Sequence, residues 1–175
     1  MALEREGDRQ SLSSIEEEIQ SAESMADYEA VDVLWVALLK LANRMRGTNE
    51  HRRMLALVGA FEVEIVRSIL GLRAVDNLLD LDPPLETVLT DPHERLEKAA
   101  AERSLKTVRQ YRTTDPPAAL LAMGEILKRI RNKRAHGFKT RNGPRDREIL
   151  GAARSILTAL CRAALEAVRK HVSQT

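Results

Sequence analysis

Ile149, Leu150, Ala153, Ile156, Leu157, Leu160, Ala164, Leu165 and Val168 recur at steps of three and four, and this stripe constrains the chain more than any other feature. Such spacing places apolar groups on one face of a long α-helix and is incompatible with the two-residue alternation of a half-buried strand. The same period returns upstream, in Val31, Leu34, Trp35, Leu38, Leu41, Ala42 and Met45, and in Leu120, Met123, Leu127 and Ile130. Aromatic residues make up only 3% of the chain while 43% is hydrophobic, so its helices are expected to meet through aliphatic side chains. An all-α fold follows, a single-domain helical bundle of about four to five main helices. With 175 residues the chain is long enough for one core.

The punctuation supplies provisional boundaries. Residues 1–26 form an acidic lead-in, with Ser13 or Ser14 as a cap for a short peripheral helix, and residues 27–172 form the bundle domain. One helix is expected over about Asp27 to Met45, ended by Gly47, and a second over about Asn49 to Leu72, with Leu55, Val58, Phe61, Ile65, Ile69 and Leu72 inward. Asp80, Asp82, Pro83, Pro84, Asp91 and Pro92 break the pattern between Asp76 and Pro92. A charged helix then spans about Pro92 to Tyr111, with a thin apolar set of Leu96, Ala99, Ala100, Leu105 and Val108. Thr114 or Asp115 before Pro116 and Pro117 launches the next helix, and Asp146 caps the last. Trp35 and Cys161 read as core residues.

A single cysteine excludes an intrachain disulfide and fits a reducing compartment. The first ten residues hold no apolar signal core, and no segment reaches the roughly 18 apolar residues of a membrane span. A cytoplasmic protein outside the membrane is expected. The chain has no metal-spaced Cys/His set and no glycine-rich phosphate loop, so no metal or cofactor is expected.

The net charge of +2 conceals an uneven distribution. Nine basic residues and one acid, Asp146, lie between Lys128 and Arg147; the remainder of the chain, 19 basic against 25 acidic residues, is negative. A basic concentration of this kind suits a polyanion such as RNA, with Lys128, Lys133, Arg134, Lys139 and Arg141 as candidate contacts, although basic residues also favour a helix C-terminus for its dipole.

Within that run stand Arg131, Asn132 and His136, with Gly137 placed to stop the helix. Asn132 and His136 are four apart and share a face, whereas Arg131 lies about 140° from His136 and reaches it only through a long side chain. Arg, a polar residue that is often Asn, three further residues and His, at the end of a long helix in a small helical domain, resembles the signature of the HEPN superfamily. Phe138 stands where one branch of that family has tyrosine, so a role for that hydroxyl is absent. A fainter similarity, through the Arg-Asn...His turn and the Asp146 to Ile149 helix start, runs to mannitol-repressor-like helical regulators.

The HEPN resemblance implies a metal-independent ribonuclease, toxin or defence effector, built as a homodimer with two motifs facing one cleft. A toxin of this kind implies an antitoxin or other protein partner. Cleavage by 2′-hydroxyl transesterification needs a proton acceptor, a proton donor and a cation for the phosphorane. His136 can exchange protons near neutral pH, Arg131 presents a fixed fork of donors, and Asn132 can orient the imidazole or meet a phosphate oxygen. Glu62 or Glu64 offers a carboxylate to hold Arg131 or His136, the alternative being that both lie on the polar boundary of their helix. The other functional class is a non-catalytic module, a regulator or scaffold in which the motif only ends a helix.

Overall fold

The computed structural model describes residues 2–81, 92–135 and 144–174, with side chains placed for residues 11–81, 96–132 and 144–173. All elements among the described residues are helical: α1 (Ala2–Ser21), a 3₁₀ turn (Ala22–Ser24), α2 (Asp27–Ala42), α3 (Glu50–Gly59), α4 (Val63–Leu70), α5 (Arg73–Asp80), α6 (Pro92–Tyr111), α7 (Pro116–Ala135) and α8 (Pro144–Gln174). None of them is long and apolar enough to cross a membrane. Contacts group the chain into two compact units, one of Met1–Phe61 with Leu157–Thr175 and one of Glu62–Ile156. The boundary expected near residue 27 falls inside the first.

In the first unit, α2 supplies a buried face of Ala30, Val31, Leu34, Trp35, Ala37, Leu38, Leu41 and Ala42, as its periodicity requires. The helix ends sooner than expected, at Ala42, and Met45 is only half-buried. The lead-in differs more. In place of a short peripheral helix capped at Ser13 or Ser14, α1 runs through both serines and buries Leu12, Ile15 and Ile19. Their spacing of three and four was present in the sequence beneath a dense set of acids. From Leu157 onward α8 adds Leu160, Cys161, Ala164, Leu165 and Val168 to this core.

Cys161 is fully buried, and its thiol donates to the Leu34 carbonyl oxygen at 3.2 Å. Burial pushes the thiol pKa far up, and a backbone hydrogen bond at Leu38 opposes that shift without cancelling it. The folded protein therefore keeps the neutral thiol where the unfolded chain ionises. A group with a raised folded pKa contributes stability that is intact below the unfolded value, near pH 8.5, and declines as pH rises above it. Wild type is expected to lose about 1 kcal/mol per pH unit above that point relative to Cys161→Ala. Urea titrations of both proteins from pH 7 to 10.5 check it, and parallel pH profiles would contradict it.

The single helix expected over 49–72 is interrupted, with α3 in the first unit and α4 at the start of the second. Glu62 and Leu72 adopt extended backbone, with φ/ψ of −63°/140° and −62°/135°, ahead of α4 and α5. Phase explains the breaks: Phe61 and Val66, and likewise Leu70 and Val75, are buried but five apart, which on one continuous helix would place them about 140° apart. Each extended residue resets the apolar face. Leu55, expected inward, is 50% exposed because α3 buries Leu57 and Val58 on its other side. Helix α5 occupies much of the stretch read as a break, and the Pro83-Pro84 and Asp91 signals lie outside the described residues.

Two arginines finish the eight-residue α5. Arg109 Nη2 donates to the Leu79 carbonyl at 2.6 Å and Arg145 Nη2 to the Leu81 carbonyl at 2.9 Å, satisfying acceptors that a helix end leaves open and placing cations at its negative pole. Arg112 adds an ion pair to Asp76 at 2.5 Å. On α6 the buried line is Ala101, Leu105 and Val108, while Leu96, expected inward, is 70% exposed.

Helix α7 packs against α6 and α4. Asp115 caps it as expected, its Oδ1 accepting from the Ala118 amide at 3.2 Å, a contact worth about 1 kcal/mol. Its buried face is wider than the four-residue stripe and includes Ala119 and Ile126 beside Leu120, Met123, Leu127 and Ile130. Helix α8 starts at Pro144, so Asp146 stands in its first turn and not at the cap, still favourably placed for the dipole.

Candidate nucleic-acid interface

Arg131 and Asn132 of the motif stand in the last turns of α7, after its wide apolar face. Ile130 is buried, and Arg131 and Asn132, next in sequence, emerge half-buried at the edge of that face. Arg131 Nη1 donates to Asn132 Oδ1 at 3.4 Å. At that length the bond is weak. Lys128 is half-buried one turn back, and Lys133 and Arg134 continue the helix. His136, Lys139 and Arg141, with Gly137 and Phe138, lie outside the described residues.

The basic run is chemically divided. Arg129, 17% exposed, has its Nε 3.3 Å from Glu97 Oε2 of α6, and its Nη1 donates to Glu125 Oε2 at 3.2 Å and to the Glu125 carbonyl at 3.1 Å. This arginine straps α7 to α6. Arg145 holds the end of α5, as described above. Arg129 and Arg145, at least, thus serve the fold, and a raw count of the nine basic residues overstates the charge available to a ligand.

Neither acid proposed as a support is buried. Glu62 is exposed at the start of α4, and Glu64, also exposed, pairs with Arg67 one turn on at 2.8 Å. An ion pair this open is worth well under about 1 kcal/mol. Among the described residues no group of three His, Cys, Asp or Glu side chains is placed to hold a metal ion.

No family model, no curated protein and no solved structure matches this chain. The site therefore rests on its own residues. What they offer is an always-charged fork of donors beside a carboxamide, on a helix end fixed by a buried face and by Arg129.

Proposed function

We propose that this chain is a metal-independent endoribonuclease of HEPN type that cuts RNA by 2′-hydroxyl transesterification. The observation that carries the reading is the Arg131–Asn132 pair, half-buried at the end of α7, with His136 four residues beyond Asn132 in the sequence. In this mechanism Arg131 receives the phosphate oxygens and stabilises the charge of the phosphorane. Asn132 restrains the guanidinium and supplies an amide donor. His136 takes the 2′-hydroxyl proton, and the His136 of a second copy protonates the departing 5′-oxygen, so a homodimer completes the site. Lys128, Lys133, Arg134, Lys139 and Arg141 follow the RNA backbone. A toxin or defence role in the cytoplasm, held in check by a protein partner, accords with such an activity.

The test is incubation of labelled single-stranded RNA with wild type and with His136→Ala in EDTA. Wild type is expected to leave 2′,3′-cyclic phosphate ends, and the variant to be slower by roughly 10²- to 10⁴-fold. Equal cutting by both would overturn the mechanism. Arg129 favours a second reading, because a strongly basic residue inside the run is there to join helices. In that reading the chain is a non-catalytic helical regulator or scaffold, and RNA is bound by both proteins and cut by neither.

A further inference from the structure

The second unit holds an open cavity of about 560 Å³ between α5 and the start of α8, and no step of the proposed cleavage uses it. Arg73, Asn77 and Asp80 of α5 stand at i, i+4 and i+7, and Glu148, Ala152 and Ser155 of α8 at the same spacing, so each helix turns one face to it. The Arg145 guanidinium on the Leu81 carbonyl brings the start of α8 to the end of α5. From there both helices border the cavity as far as Ser155 and Arg73, so they run antiparallel. Asp80 and Glu148 consequently share one end of it, and Arg73 and Ser155 the other.

The polar groups of this cavity are not engaged with the fold. Asp76, elsewhere on α5, is ion-paired with Arg112. Arg73, Asn77, Asp80 and Glu148, in contrast, have no side-chain hydrogen bond or ion pair among the described residues. The Cα atoms of Arg73 and Asp80 are about 10 Å apart at 1.5 Å per residue, and the two charges leave each other open. Ser155 Oγ donates to the Gly151 carbonyl at 2.9 Å, so its one hydroxyl proton is taken and its oxygen is left to accept. Between the charged ends the lining is small and apolar, with Ala74 and Ala152, and half-buried Leu81 lies at the acidic end.

The opposite sign of the two ends decides the ligand. A plain anion would meet two carboxylates, and a diamine would meet Arg73. Among the described residues no third His, Cys, Asp or Glu joins Asp80 and Glu148 to hold a metal ion. A zwitterion extended along the groove satisfies both ends, with its carboxylate on the Arg73 fork, its cation between Asp80 and Glu148, and an N–H beside the carboxylate on the Ser155 or Asn77 oxygen. A guanidinium suits the acidic end better than an ammonium, because its planar fork offers donors to both carboxylates at once. The roughly 10 Å between the ends, shortened by the inward reach of the lining side chains, is the span of an extended arginine. We propose that this cavity binds arginine, either free or as the last residue of a peptide. The site shares no residue with the α7 motif and does not depend on whether that motif cuts.

The test is calorimetric titration of the full chain with L-arginine, the tripeptide glycyl-glycyl-arginine, argininamide, which lacks the carboxylate, and citrulline, which lacks the cation. Wild type is expected to bind arginine with a Kd of about 1 mM or below. Argininamide and citrulline should each bind roughly five- to tenfold more weakly. Arg73→Gln should weaken arginine by a similar factor and no longer distinguish it from argininamide, and the Asp80→Asn, Glu148→Gln double variant should no longer distinguish it from citrulline. All three side chains are exposed, so thermal unfolding is expected to stay unchanged. Lys106→Ala, an exposed cation of α6, should bind as wild type does. Binding of arginine alone assigns the site to the free amino acid, binding of the tripeptide alone to a peptide C-terminus, and binding of both to the carboxylate and cation they share. The proposal is overturned if wild type binds neither saturably up to about 10 mM, if argininamide and citrulline bind as tightly as arginine, or if the variants bind arginine as wild type does.

Discussion

Arg131→Ala is expected to lower RNA cleavage by roughly 10²- to 10³-fold while changing stability by no more than about 1 kcal/mol, and Arg129→Ala to do the reverse. The two residues are two apart on one helix, yet their surroundings differ. Arg129 is largely enclosed and engages Glu97 of α6 and Glu125 of its own helix. Its loss strands two carboxylates, but these are 36% and 45% exposed and can rehydrate, so the cost is about 1–3 kcal/mol, below that of a fully buried pair. Arg131 Nη1 donates to its neighbour's carboxamide oxygen at 3.4 Å, a weak bond, and under the proposed mechanism its guanidinium serves the phosphate. Chemical denaturation and cleavage in EDTA, measured on both variants, separate the effects. A loss of cleavage in Arg129→Ala at full folding, with Arg131→Ala still active, would exchange their roles.

The largest stability effect is expected at Leu127. Its side chain is completely buried in α7, among Met123, Ile126 and Ile130 of the same buried face. Truncation to alanine removes the transfer energy of the lost carbons and leaves a cavity, together about 3–4 kcal/mol. That is a large share of the roughly 5–15 kcal/mol that holds a protein of this kind folded. Leu55→Ala removes the same atoms from a half-exposed position on α3 and should cost less than about 1 kcal/mol. Urea unfolding midpoints with unchanged slopes would show the contrast, and similar losses for both would mean that Leu55 is covered in solution.

The long stripes of α2, α7 and α8 were legible because each sustains its period over several turns and because Asp115 and the prolines mark the ends chemically. The breaks at Glu62 and Leu72 were not, since neither residue is a helix breaker and tertiary burial of Phe61, Val66 and Val75 decides them. Helix α1 was misread for the opposite reason: its acids are conspicuous, and Leu12, Ile15 and Ile19 are few. At the candidate interface, Arg131 and Asn132 could be found by spacing, but the structural employment of Arg129 and Arg145 could not, because Glu97 and the Leu81 carbonyl come from distant parts of the chain.

The make-up of the two units bears on how the chain emerges from a ribosome. Glu62–Ile156 is one uninterrupted stretch and holds its own partners as soon as it has been synthesised. Met1–Phe61 is made first but has no complete core until Leu157–Thr175 arrives. The oldest part of the nascent chain is thus the last to close: α1 packs on α2 and α2 on α3, but their shared core stays incomplete until the end of α8 arrives. Stalling translation before residue 157 would leave a folded centre attached to an unfinished N-terminal segment, the kind of intermediate that chaperones and proteases recognise.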